Sequence, residues 1–199
     1  MSQAPFMSKA TNRKSNLEIE VKLACNNLDD LRRAGFDLKL LTPRHFEDNW
    51  LLDLPDQSLS SHGAALRVRT VNGTGLVTFK GAVSQSNYSK LKVREEIETE
   101  VADPEQLISL FERLGYQRSF RYQKYRTEYL LVIDKSELEV VFDETPMGNF
   151  IEIEGDEGTV LQVLKAAGFS TEQSIRESYP ELQAARCKER GVALEDLVF

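Results

Sequence analysis

Charged residues recurring at every second position are what could carry chemistry in this 199-residue chain. Glu18-Ile19-Glu20-Val21-Lys22 sets two carboxylates and an ammonium on one face of a strand, with the apolar residues on the other. Arg67 and Arg69 flank Val68, and Lys80 closes Val77-Thr78-Phe79-Lys80. Lys92, Arg94, Glu96 and Glu98 share a face, as do Lys124 and Arg126, while Asp143 follows Val141 by two and Glu152 and Glu154 flank Ile153. A carboxylate pair suits a hard divalent cation, and Mg²⁺ commonly takes one or two carboxylates plus phosphate oxygens. Paired arginines suit phosphate, because the guanidinium donates bidentate hydrogen bonds and stays charged. An ordinary half-buried strand also alternates charged and apolar residues, but like charges two apart gain nothing on a solvated face. Recurring in strand after strand, they describe a metal-phosphate cradle.

The elements that must position these groups are mostly strands. Period-two runs predict strands at about 17–24, 46–53, 64–71, 75–81, 90–101, 119–133, 137–143 and 149–155. Helices are expected over Asn27–Ala34, Asp103–Leu114, Asp156–Ala167 and about Pro180–Arg190. Ala34-Gly35-Phe36, Leu114-Gly115-Tyr116 and Ala167-Gly168-Phe169 each place Gly just past a helix, followed by an aromatic that can fold back. Asp103-Pro104 reads as an N-cap with proline at the first helical position. Asn72-Gly73-Thr74-Gly75 and Pro146-Met147-Gly148-Asn149 read as turns, and no glycine-rich run leads into a helix as a phosphate loop would.

The length suits one well-cored domain, expected over residues 17–199 after a flexible leader at 1–16 to which no function attaches. A net charge of −7 argues against a nucleic-acid or anionic-membrane binder, so basic sites must be local. No apolar stretch approaches the roughly 20 residues that span a bilayer, and Cys25 and Cys187 form no metal or redox pattern. The expectation is a reduced, cytoplasmic protein.

Were the charged faces to converge inside a closed antiparallel sheet, about eight strands would enclose a lumen fit for a small ligand. Helices would then cover the apolar outer faces. So many buried charges are tolerable only if paired, hydrated and occupied. The fold class expected is α+β, an eight-stranded antiparallel β-barrel, or tunnel, with a charged interior and helices outside.

These motifs resemble the CYTH superfamily, also called triphosphate tunnel metalloenzymes, which includes class IV adenylate cyclases, thiamine triphosphatases and inorganic triphosphatases. The match begins at Glu18-Ile19-Glu20-Val21-Lys22 and runs through Asn49 to Asp53, Ala65-Leu66-Arg67-Val68-Arg69, Thr78-Phe79-Lys80-Gly81 and Arg94-Glu95-Glu96-Ile97-Glu98. It continues at Lys124-Tyr125-Arg126, Phe142-Asp143, Phe150-Ile151-Glu152-Ile153-Glu154 and Ser178-Tyr179, covering residues 17 to about 182. The resemblance implies a tunnel that binds a triphosphate, with Mg²⁺ or Mn²⁺ as cofactor. It makes Glu18, Glu20, Glu152, Glu154 and Asp143 metal ligands, with Glu96 and Glu98 serving a second metal or fixing cations. It gives Lys22, Arg67, Arg69, Lys80, Arg94, Lys124 and Arg126 to the triphosphate, and catalysis to Glu18, Glu20, Lys22 and Glu154.

Metal-dependent hydrolysis is the leading expectation, with inorganic triphosphate ahead of ATP or thiamine triphosphate. The alternatives are an adenylate cyclase forming cyclic AMP and pyrophosphate, and a non-catalytic sensor of triphosphate or polyphosphate. Nucleic-acid and membrane partners are not expected; a homodimer is possible. His45 and His62 read as loop or surface residues, although His45-Phe46-Glu47 precedes a motif. Trp50 reads as outer-face packing, Arg176 equally as a phosphate contact or a solvated charge, and Arg186, Lys188 and Arg190 as an exposed helix face.

Overall fold

The computed structural model describes residues 17–84 and 91–199; the expected leader and the first residue of the strand expected at 90–101 lie outside them. Eight strands are β1 (Leu17–Ala24), β2 (Leu38–Asp53), β3 (Ala65–Val71), β4 (Thr74–Lys80), β5 (Lys92–Val101), β6 (Gln117–Ile133), β7 (Ser136–Thr145) and β8 (Gly148–Glu154). The helices are α1 (Asp29–Arg33), α2 (Ser58–Ser61), α3 (Pro104–Arg113), α4 (Glu157–Ala166) and α5 (Tyr179–Glu189). The strands form a closed barrel in the order β1-β5-β4-β3-β2-β6-β7-β8, and β1 closes it by pairing antiparallel with both β5 and β8.

Local sequence accounts for the joints. β3 and β4 are joined by Asn72-Gly73, both at positive φ (50° and 85°), the two-residue turn whose twist matches paired strands. Asp103 caps α3 by accepting from Gln106 N at 3.0 Å, with Pro104 at its first position. At the ends of α1, α3 and α4 the aromatic after the glycine donates its N–H back to the helix: Phe36 to Leu31, Tyr116 to Phe111 and Phe169 to Leu164. These are Schellman closures, as the glycine-aromatic echo predicts.

Period-two strands have two faces, and here the apolar face points outward. Val21, Leu23, Leu138, Val140, Ile151 and Ile153 of β1, β7 and β8 pack against Leu31 of α1 and Val160, Val163 and Leu164 of α4. Leu52, Leu66 and Val68 meet Ile108 of α3. Each such side chain contributes about 1.5–3 kcal/mol on burial, which fastens the helices to the barrel wall. Trp50 belongs to this outer layer, half-buried beneath the guanidinium groups of Arg118 and Arg121. No helix among the described residues is long and apolar enough to cross a membrane.

Two departures from the sequence reading matter for the site. β2 starts at Leu38 rather than near residue 46, because irregularities between Leu40, Thr42 and His45 interrupt its alternation. Its inner face therefore includes His45, which is buried in the barrel and not in a surface loop; His62 is exposed, as expected. The inner face is also not charged throughout. Phe120, Tyr122, Phe150 and Tyr179 cluster with Leu197, forming an apolar block at one end of the lumen. Leu197 holds its place by backbone hydrogen bonds to Arg121 and Gln123, where β6 extends beyond the end of β7.

Candidate active site

The lumen is a cavity of about 770 Å³. Glu18, Glu20 and Lys22 come to it from β1, Arg67 and Arg69 from β3, and Lys80 from β4. Arg94, Glu96 and Glu98 come from β5, Lys124 and Arg126 from β6, and Glu152 and Glu154 from β8. Every site residue expected from the sequence lines it except Asp143, which lies fully buried behind the wall.

Cross-strand register explains how so much charge is tolerated. Lys22 stands opposite Glu152 (3.4 Å), Lys80 opposite Glu96 (2.7 Å) and Glu20 opposite Lys92 (2.9 Å). Glu18 lies opposite Arg94 (3.6 Å) and accepts from Lys80 at 2.8 and 2.9 Å. Arg67 donates to Thr78 (3.0 Å) and to Tyr122 Oη (3.3 Å), with Glu98 at 3.5 Å. Burial favours the neutral form of a titratable group, and an opposite charge close by favours the ionised one. Burial opposes, but Lys80 and Arg67 draw Glu96 down to about 2, and Lys22 and Arg126 hold Glu152 well below the usual carboxylate range. The same competition leaves Lys80 and Arg67 raised, through Glu18 and Glu96 for the former and Tyr122 and Glu98 for the latter.

Asp143 is the hub of the β6 wall. It accepts from Lys124 Nζ (2.8 Å), from Arg126 Nε and Nη2 (both 2.7 Å) and from Tyr179 Oη (2.7 Å). Four donors occupy both oxygens, so it orients cations and ties down the start of α5. Burial and Asp143 keep the Tyr179 hydroxyl protonated well above its ordinary range. The segment before α5 also closes on β1: Ile175 N donates to Lys22 O (2.8 Å), Lys22 Nζ donates to Glu177 O (3.0 Å), and Lys22 lies 4.3 Å from the Tyr179 ring centre. Arg176 lines the cavity and is also exposed to solvent.

At one place like charges face each other. Glu20 is opposite Glu154 across β1 and β8, and Glu154 is opposite Glu139 across β8 and β7. Adjacent carboxylates in direct register are destabilising by themselves, and an oxygen-rich array of this kind fits a hard divalent cation. Glu20 and Glu154 are best placed to hold one, with Glu18 and Glu152 on either side. A second acidic group, His45, Glu47 and Glu128, brings its ligand atoms within 4.8 Å of one another. It fits a metal poorly, because Glu47 already faces Arg69 (3.1 Å) and Lys124 (3.4 Å).

Sequence reasoning missed several inner-face residues. Tyr122, Glu128 and Glu139, which line the cavity, and Glu47, buried behind it, were readable as neighbours two apart from Lys124, Arg126, Val141 and His45. Tyr179 lay in a recognised motif without a role, and it is the one that joins α5 to Asp143.

Comparison with known proteins agrees with this geometry. The model of the CYTH domain matches residues 16–179. A Methanocaldococcus jannaschii protein named as a candidate adenylate cyclase is 29% identical over 181 residues, covering 84% of this chain and 97% of the relative. Among solved structures, a Pyrococcus horikoshii protein superposes with a TM-score of 0.69 at 26% identity, over 85% of this chain and 99% of its own. A Hippeastrum candidate adenylyl cyclase, described as having a dominant triphosphatase activity, superposes with a TM-score of 0.56 at 22% identity over 89% and 97%. With an eight-stranded closed barrel, a charged lumen and a family match over most of its length, this chain belongs to the CYTH domain family.

Proposed function

We propose that the chain is a divalent-metal-dependent triphosphatase, with inorganic triphosphate as its preferred substrate and Mg²⁺ or Mn²⁺ as its cofactor. The observation that carries this reading is the division of the lumen into a wall of phosphate-binding cations and a row of facing carboxylates, Glu20, Glu154 and Glu139. The activity described for the Hippeastrum neighbour supports it.

In this reading Arg67, Arg69, Lys124 and Arg126 bind the phosphate chain from one side while Lys22, Lys80 and Arg94 bind it from the other, offsetting its charge over its length. Glu18, Glu20, Glu152 and Glu154 would hold the metal, which when bound stabilises the oxygens that gain charge as a P–O bond breaks. A carboxylate of the acidic row accepts a proton from the attacking water, whose oxygen bonds to the terminal phosphorus as the bridging P–O bond breaks and pyrophosphate leaves. Asp143 is assigned to orienting Lys124 and Arg126 rather than to the metal, since its oxygens are already occupied. Glu96 and Glu98 are assigned to fixing Lys80 and Arg67. The two free cysteines suit a cytoplasmic setting.

Adenylate cyclase is the second reading. It is favoured by the name of the M. jannaschii relative and by an uncharged stretch of the cavity, Leu51, Ala64, Ala65, Ala82 and Val83, with room for a nucleoside. Incubation with tripolyphosphate, thiamine triphosphate and ATP, followed by chromatography of the products, separates the two. The triphosphatase reading expects phosphate and pyrophosphate from tripolyphosphate at the highest rate; cyclic AMP and pyrophosphate from ATP as the dominant products would replace it with the second.

A further inference from the structure

Glu47 of β2 is fully buried, and it does not line the cavity, yet the cations it touches do. Its Oε1 lies 3.1 Å from Arg69 and 4.0 Å from Arg126, and its Oε2 lies 3.4 Å from Lys124. Lys124 and Arg126 already have a buried counter-ion in Asp143, and Arg69 donates to Asn49 Oδ1 at 3.1 Å. Glu47 is therefore a further negative charge placed directly behind three phosphate-facing groups. A histidine stands on its other side. His45 Nδ1 is 3.0 Å from Pro43 O, and its Nε2 is 3.4 Å from Glu47 Oε1. The Pro43 carbonyl can only accept, so Nδ1 carries a proton, and the Glu47 carboxylate beside Nε2 favours a second proton there. That also explains why these residues suit a metal poorly: His45 Nδ1 is turned to the Pro43 carbonyl, and Arg69, Lys124 and Arg126 would repel the ion.

We propose that Glu47 is a positioning residue that moderates the grip of Arg69, Lys124 and Arg126 on a bound polyanion, and that His45 sets how much of its charge those three groups feel. The inference rests on the triphosphate reading of the lumen. A phosphate in contact with these cations lies one side chain beyond Glu47, close enough in a buried site for the carboxylate to repel it appreciably. With His45 protonated, part of that repulsion is cancelled. The wall then holds the phosphate chain firmly enough to orient it and loosely enough to release what is left after cleavage.

Two substitutions have opposite signs. Glu47→Gln keeps the shape and removes the charge, so tripolyphosphate should bind about tenfold tighter, with KM and kcat both falling as product is held longer. His45→Asn leaves Glu47 less neutralised, so the same ligand should bind more weakly. Glu47→Asp retains the charge and should restore affinity toward the wild-type value. Calorimetric titration of the full-length wild type and the three variants with tripolyphosphate, in the absence of metal, measures all of this, with thermal melts to confirm folding. Should Glu47→Gln not fold, weaker binding in His45→Asn beside near-wild-type binding in Glu47→Asp carries the test. Affinity that is unchanged or weaker in folded Glu47→Gln, or unchanged or tighter in His45→Asn, overturns the inference while leaving the triphosphate reading intact. A wild type that binds no tripolyphosphate removes that reading, and the inference with it. A residue that merely supported the fold would lower activity without lowering KM.

Discussion

Along β2, β3 and β6 the inward cations meet opposite or polar partners across the strands: Lys124 faces Glu47, Arg69 faces Asn49, and Arg126 faces Asp143. Along β1, β8 and β7, Glu20 faces Glu154 and Glu154 faces Glu139. The first region is balanced by buried carboxylates that do not reach the cavity. The second sets Glu154 between two other carboxylates, and a divalent cation bound there would relieve that like-charge contact beyond what Lys92 does for Glu20. Structural charges and ligand-directed charges are thus distinguished by register and by which of them line the cavity.

That contrast can be broken from either side. The largest effect should come from Glu20→Gln combined with Glu154→Gln: metal-dependent turnover should fall by about a hundredfold or more, while the melting temperature changes little, because the lost Glu20–Lys92 pair is offset by relief of the facing carboxylates. A fall in stability comparable to the fall in rate would place these residues with the balanced group. Asp143→Ala should do the reverse. It leaves Lys124, Arg126 and Tyr179 without their shared acceptor, and breaking a buried ion pair costs about 3–5 kcal/mol, measurable by urea unfolding. Arg67→Ala, at the cavity surface, should raise KM by about tenfold, in keeping with the loss of a charge-assisted hydrogen bond, with kcat changed less; an unchanged KM would remove Arg67 from the substrate contacts.

The smallest effect concerns pH. Burial opposes a proton on His45, but the bond to Glu47 prevails and raises its pKa above the ordinary 6.5. A raised value in the folded state contributes stability that is fully present below about 6.5 and is lost as pH rises through the folded value. The urea midpoint should therefore decline from pH 6 toward pH 8 in the wild type, and the decline should shrink in His45→Asn. Equal slopes in the two proteins would show that His45 does not titrate in this range.

Most of the barrel was legible because charge and apolarity alternate throughout β1 and over much of β3, β5 and β8. The helix ends were legible for the same reason: glycine followed by an aromatic states a local geometry. β2 was not, because irregularities near Thr42 shift the face on which residues fall, so His45 and Glu47 read as the approach to a strand although they are inside it. The apolar block was hidden as well. Phe120 and Phe150 look like ordinary outer-face residues until the register shows that they share a face with Lys124 and Glu152. α2, only four residues long, has no amphipathic period to read; its first turn is held by Asp53, whose carboxylate accepts from Leu59 N and Ser60 N, both at 3.0 Å.

Phosphate release from tripolyphosphate, followed with Mg²⁺, with Mn²⁺ and with a chelator, tests the central claim most directly. Release that depends on the metal, stops with the chelator and resumes when metal is restored is the expected result. Absence of release with both metals, from protein whose melting curve shows it folded, would contradict the assignment of the lumen to triphosphate hydrolysis.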